Sequence, residues 1–272
     1  MGDKQNTLYV GSLAKGLRIL RAFDETATEM SLGEISARTG LDKSATQRLA
    51  NTLYIEGMLD KDPKTKRFRP SHAWLRMAYA YFWSDPLVQL AMPKLIELSQ
   101  YLGATANLAE ISGDHILYVS RIPGKSSNFS STIVGRRLPA LSTAAGRAIL
   151  STWPATDCAQ AVATWPISQI TSQTTLDRES IAAAIERASG QGYAETQDQA
   201  ILGQTGVSAP IMGPDGVAFA AVQCSFSSRI WPALRIQEEA LPYILDSANA
   251  IAPQLRAGSQ AQGLGRARGE AG

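Results

Sequence analysis

Cysteine and histidine are scarce among the 272 residues of this chain, and each scarcity removes a class of chemistry. Cys158 and Cys224 permit at most one disulfide and show no paired metal-ligand spacing, so neither a disulfide framework nor a thiolate metal site organises the fold. In a reducing compartment both read as buried thiols. His72 and His115 fall at the start of a helix and in a hairpin turn, which leaves a nucleophile few bases to pair with. Asp and Glu are scattered without a convincing acid–base pair. An enzyme, a resident metal and a cofactor are therefore not expected. No apolar run approaches the roughly 20 residues that span a bilayer. The opening MGDKQNT lacks the apolar core of a signal peptide, and a cytoplasmic protein with no membrane partner is the expectation.

Net charge is low too, at +2, but it is unevenly placed. Residues 1–70 hold 12 Lys and Arg against 9 Asp and Glu, whereas residues 71–255 hold 11 against 14. The cationic excess is thus confined to the two ends, so only part of the molecule is suited to a polyanion.

The N-terminal part carries the most informative pattern. Leu13, Leu17, Leu20 and Phe23 recur at helical spacing and predict a helix over 12–24 with those four on its buried face. Ser31 with Glu34 three residues on forms a capping box for a second helix, which Gly40 ends. Asp42 or Lys43 opens a third. On it Ala45, Leu49 and Leu53 share one face, while Ser44, Gln47, Arg48 and Asn51 share another. A short, donor-rich face suits a helix that enters the major groove of double-stranded DNA, where such side chains pair with base edges and phosphates. Lys43 and Thr46 are grouped with that face. The stretch LDKDPKTKRFRP then predicts a hairpin turning at Asp62-Pro63-Lys64-Thr65. Its cations Lys61, Lys64, Lys66, Arg67 and Arg69 make it the wing of a winged helix, placed against phosphates. A winged helix that binds protein as a scaffold is the alternative, and an enzyme built on the remaining chain is the least favoured reading.

Residues 8–70 are thus expected to form the winged helix-turn-helix domain. SHAWLRMAYAYFWS, over 71–84, predicts a linker helix whose apolar stripe of Trp74, Leu75, Ala78, Tyr79 and Phe82 is widened by Tyr81 and Trp83. Either a second subunit or this chain's own second domain has to cover it; a two-fold protein on a palindromic operator favours the subunit. A second domain over 85–256 is expected to hold a helix through Tyr101 and a hairpin across Ser112-Gly113-Asp114. Helices over 144–152, 155–164 and 176–190, strands near 192–196, 206–212 and 217–225 in a mixed sheet, and a long closing helix from Pro232 follow. Residues 257–272 lack an apolar period and are expected to be disordered. The fold class is α+β.

In order and spacing, the segments SLAKGLRILRAF, SLGEISARTGLDKSATQRLANTLYIEGMLDKDPKTKRFRP, VGRRLPALSTAAGRAIL, GYAETQD and GVSAPIMGPDGVAFAAVQCSF make the chain resemble the IclR-type transcriptional regulators. The resemblance runs from about Leu13 to Leu255. It implies a GAF-like α/β effector-binding domain, a homodimer or dimer of dimers, and operator affinity set by a small carboxylic acid, with a repressor preferred to an activator. It places the acid against Ala144, Ala145 and Gly146 at a helix start, beside Thr143, for which the helix cap is the favoured role. It adds Asp198 on a loop, Gly206 and Ser208 on one strand, and Gln223 and Ser225 on the next. The last two lie two apart in a strand and so share a face. The chain departs from the family's usual residues at Leu141, Ile201 and Gly206, each change lowering polarity or bulk, which points to a larger and less polar acid, aromatic or aliphatic. Gln223, in place of a usual serine, could instead fill that space.

Overall fold

In a computed structural model of the chain, residues 8–125 and 134–262 are described, with side chains as far as 252. The chain divides between Ser84 and Asp85 into two compact units.

The first unit opens with α1 (Gly11–Arg21), α2 (Leu32–Thr39) and α3 (Lys43–Ile55), followed by β1 (Leu59–Lys61), β2 (Phe68–Pro70) and α4 (Ala73–Ser84). Local chemistry fixes the helix ends. Ser31 accepts from the Glu34 amide while the Glu34 carboxylate accepts from the Ser31 amide, which completes the capping box. Gly40 ends α2 in the left-handed region at φ 68°, and Asp42 caps α3 through the Ala45 amide at 2.7 Å. Ile19, Ile35, Ala50, Leu59 and Phe68 form the core. The predicted buried face of α1 is corrected here. Leu13 and Leu17 are exposed, and the helix turns Gly16 and Ile19 inward instead, with Phe23 just beyond its end. Antiparallel pairing of the three-residue strands β1 and β2, from Leu59↔Pro70 to Lys61↔Phe68, makes the wing. No residue of α4 is buried; Leu75, Met77, Tyr79 and Trp83 are each more than half exposed. Trp74 ties the helix start to its own unit, donating to the Met58 carbonyl and meeting Phe23 edge-on.

The second unit runs α5 (Pro86–Leu102), β3 (Thr105–Ser112), β4 (His115–Ile122), β5 (Arg137–Pro139), a 3-10 turn at Ala140–Ser142, α6 (Ala144–Leu150), α7 (Ala155–Thr164), α8 (Arg178–Gln191), β6 (Ala194–Gln197), β7 (Gln204–Met212), β8 (Ala218–Ser227), α9 (Ala233–Arg235), a π-helical turn at Ile236–Ala240, and α10 (Leu241–Gln262). The strands form one sheet in the order β5-β4-β3-β8-β7-β6. Every pairing in it is antiparallel, which corrects the expected mixed sheet. Alternation of side chains reveals a strand but not its direction. Strand β5, three residues long, was not foreseen. Helices α5 and α10 pack on one sheet face and α6 on the other, with α8 against α6. Order expected to end at Arg256 extends in α10 to Gln262; the rest of the expected disordered tail, 263–272, lies outside the described residues.

Candidate functional site

Two places gather the residues singled out by sequence. The first is the outer face of α3, where Lys43, Ser44, Gln47, Arg48 and Asn51 are all exposed. Thr46 is a correction: it is wholly buried, and its hydroxyl donates to the Asp42 carbonyl at 2.9 Å, so it anchors the helix start and presents nothing to a partner. The wing divides its cations. Lys64 and Lys66 are exposed and form no ion pair among the described residues. The turn beneath them is held by the Asp62 carboxylate, which accepts from the amides of Lys64 and Thr65 at 2.7 and 2.8 Å; Lys66 itself takes φ 60°. Lys61 sits 5.1 Å from the centre of the Phe68 ring, and Arg69 pairs across the hairpin with Asp60 at 3.5 Å.

Arg67 is the second correction. Its guanidinium turns back to Glu34 at 2.8 Å, to Glu29 at 3.4 Å and to the Glu29 carbonyl at 2.9 Å. It ties the wing to the start of α2, and the carboxylates of Glu29 and Glu34 compete with a phosphate for it. Bonds from Ser31, then from Arg67, hold the Glu34 carboxyl down at about 2 against an ordinary 4.5. Because the folded value is the lower one, this contribution to stability is complete above about pH 4.5 and is lost as the pH falls towards 2. Melting the full chain across that range is expected to show a steeper acid loss in the wild type than in Glu34→Gln; parallel curves would remove the carboxylate from the argument.

The second place is a small cleft on the α6 face of the sheet, with a cavity volume of about 40 Å³ and a mouth open to solvent. Of the nine residues assigned to it from sequence, Thr143, Ala144, Gly206, Gln223 and Ser225 line it. Thr143 is the α6 cap, accepting from the Gly146 amide at 3.1 Å, and that bond consumes the one N–H Gly146 could have offered. Ala145, Gly146, Asp198 and Ser208 do not line the cleft. Ala145 is buried against the sheet with Ala109 and Ile149. Gly146 is packed on the backbone of Ala140. Asp198, at φ 57°, closes its own loop by accepting from the Gly203 amide at 2.5 Å. Ser208, wholly buried opposite Gln223, donates to the Val222 carbonyl at 2.8 Å.

Gln223 governs the floor. Its amide donates to Ser225 Oγ and to the Cys224 carbonyl, both at 2.9 Å, and accepts from Asn107 Nδ2 at 2.6 Å. A Cβ on Gly206 would lie 3.2 Å from Gln223 Nε2, so the glutamine occupies part of the room that the glycine leaves. Ile201 joins Gly206 in the lining, whereas Leu141 is buried in the cluster with Val162 and Ile181, away from it. Sequence reasoning missed Tyr118, Leu138, Thr196, Gln199, Ala200 and Gln204. Alternation along HILYVSRI could have flagged Tyr118, but a register shift between Leu108 and Ala109 skips Val119 and resets the faces of β4.

A winged helix with an exposed donor row, on one chain with a domain that holds such a cleft, has the make-up of a transcriptional regulator. The comparisons agree. The profile of the IclR helix-turn-helix domain matches residues 12–63, and that of the bacterial transcriptional regulator IclR C-terminal domain matches 79–257. The Pca regulon regulatory protein of Pseudomonas putida is 30% identical over 91% of this chain and 84% of its own. An IclR transcriptional regulator from Alicyclobacillus acidocaldarius shares the fold with TM-score 0.80 at 19% identity, over 91% of this chain and 99% of the other. An IclR homolog from Microbacterium hydrocarbonoxydans, solved as a complex with 4-hydroxybenzoate, has TM-score 0.71 at 21% identity over 90% of this chain and 99% of the other. The chain belongs to the IclR family of transcriptional regulators, a family of DNA-binding proteins rather than enzymes.

Proposed function

We propose that this regulator binds double-stranded operator DNA as a homodimer, or a dimer of dimers, and that a small carboxylic acid in the cleft sets its affinity, with repression preferred to activation. The observation that carries the reading is the exposed row of Ser44, Gln47, Arg48 and Asn51 on α3, beside a wing tip carrying Lys64 and Lys66. The row supplies base-edge donors, and the wing tip supplies phosphate neutralisation. A reader this small needs a second copy to cover two half-sites, and the exposed aromatic face of α4 supports a subunit contact. Among the described residues no helix is long and apolar enough to cross a membrane, which is compatible with a regulator acting in the cytoplasm.

For the effector, the apolar walls Leu138, Ala200 and Ile201 support an aromatic or aliphatic acid over a two-carbon one. The 4-hydroxybenzoate complex of the Microbacterium homolog supports the same class. An acid that binds one arrangement of the subunits better than another shifts operator affinity by their coupling, typically about 1–3 kcal/mol.

Fluorescence anisotropy with DNA from upstream of the gene tests the reading. Arg48→Ala is expected to lose about 1–3 kcal/mol of operator affinity, roughly five- to 150-fold, with unchanged melting. Lys64→Ala should weaken all sequences alike and flatten the salt dependence. Equal binding by wild type and Arg48→Ala would favour the protein-scaffold reading instead.

A further inference from the structure

Two buried residues in the cleft keep hydroxyls that bond to nothing among the described residues. Tyr118, 6% exposed on β4, and Thr196, 8% exposed on β6, both line it. Of the other polar residues in the lining, Gln204 at the start of β7 makes no side-chain hydrogen bond among the described residues, while the rest are engaged. Thr143 caps α6, Gln223 and Ser225 bond each other, and Gln199 braces its loop through the Thr175 amide and the Gln173 carbonyl. In the sheet order, β3, β8 and β7 separate the two hydroxyl-bearing strands. The row in register with Tyr118 is made of small residues, Ala109 on β3 and Ala221 on β8, which pack with it in one buried cluster. Leu138, Ala200 and Ile201 wall the cleft with apolar surface.

We propose that Tyr118 is a specificity-determining residue whose hydroxyl hydrogen-bonds a polar group at the end of the effector remote from its carboxylate, so that the cleft selects a ring-bearing acid with hydrogen-bonding groups at both ends. This rests on the reading of the cleft as the effector site. Burial raises the phenol to about 12, so Tyr118 stays protonated and able to donate; the Arg136 guanidinium opposes that shift without cancelling it. An otherwise similar acid that lacks the distal group forgoes this hydrogen bond, which is how such a site discriminates.

Calorimetry on the full chain with 4-hydroxybenzoate, benzoate and glyoxylate tests this, using wild type, Tyr118→Phe and Gly206→Leu. The wild type is expected to bind 4-hydroxybenzoate about tenfold more tightly than benzoate. Tyr118→Phe should erase that preference, keep the wild-type affinity for benzoate and melt as the wild type does. A preference that survives in Tyr118→Phe, or a loss equal for both aromatic acids, overturns the assignment while leaving the cleft as the effector site. If Gly206→Leu binds the aromatic acids as the wild type does, the effector site lies elsewhere, and the reading of the cleft falls together with the role of Tyr118. Binding of glyoxylate alone overturns the role of Tyr118 and the ring-bearing class but retains an acid site; binding of none of the three overturns both.

Discussion

Gly146→Ala is expected to destabilise the second domain by about 3 kcal/mol, the upper part of the range for overpacking a filled interior. In an open helix the same change would stabilise by up to about 1 kcal/mol, because alanine loses less backbone entropy than glycine. The surroundings decide the sign. A Cβ on Gly146 would stand 2.1 Å from the Ala140 carbonyl oxygen, 2.5 Å from its Cα and 2.6 Å from its carbonyl carbon, and a backbone cannot rotate aside as a side chain can. Moving α6 away is resisted from both ends of the contact, since Thr143 caps the helix at Gly146 and Arg147 Nε holds the Leu141 carbonyl at 2.8 Å. Gly190, on α8 with nothing within 4 Å of its would-be Cβ, provides the control, and Gly190→Ala should raise the melting temperature or leave it alone. Calorimetric melting of the two variants checks the contrast. Were Gly146 a ligand contact only, Gly146→Ala would lower acid affinity and melt like the wild type. The expected result is the reverse order of cause: the fold loosens, and acid binding suffers because Ala144 moves with its helix.

The same residue shows what a sequence discloses and what it withholds. The segment LSTAAGRA marks the right neighbourhood, but a helix has one face, and only Thr143 and Ala144 turn theirs to the cleft. Signals that act within three or four residues were legible: the Ser31–Glu34 box, the Gly40 stop and the Asp42 cap are each written in neighbouring residues. Partnerships across long separations were not. Arg67 looks like a phosphate contact in a basic hairpin, and only the fold brings Glu29 beside it from 38 residues away. Thr46 looks like part of a polar face because its type is polar, yet a threonine that returns its proton to the carbonyl four residues back is buried without penalty. Strand direction left no trace in alternation, so the antiparallel order of the sheet had to come from the fold.

Phe68→Ala is expected to abolish operator binding without touching the helix that reads DNA, by removing about 3–5 kcal/mol from the first domain. Phe68 is 2% exposed within a core that includes Ile19, Ile35 and Leu59. Its amide donates to the Met30 carbonyl at 2.7 Å and its carbonyl accepts from the Met30 amide at 2.8 Å, so the ring sits where the wing is stitched to the approach of α2. A domain of this size buries a limited core, and total stabilities of about 5–15 kcal/mol leave little margin for so large a loss. Two measurements together identify the cause. The thermal transition of the first domain should fall well below that of the second, giving a two-step melt, whereas Arg48→Ala, with a comparable or smaller loss of affinity, should melt as the wild type does. Phe68→Leu, which keeps most of the volume, should cost under about 1.5 kcal/mol and retain binding at low temperature. An unchanged melt with intact binding in Phe68→Ala would show that the wing is not part of the core. The donor row of α3 is short and polar and buries little for itself, so its orientation depends on the residues behind it, and Phe68 is the largest of those that are fully enclosed.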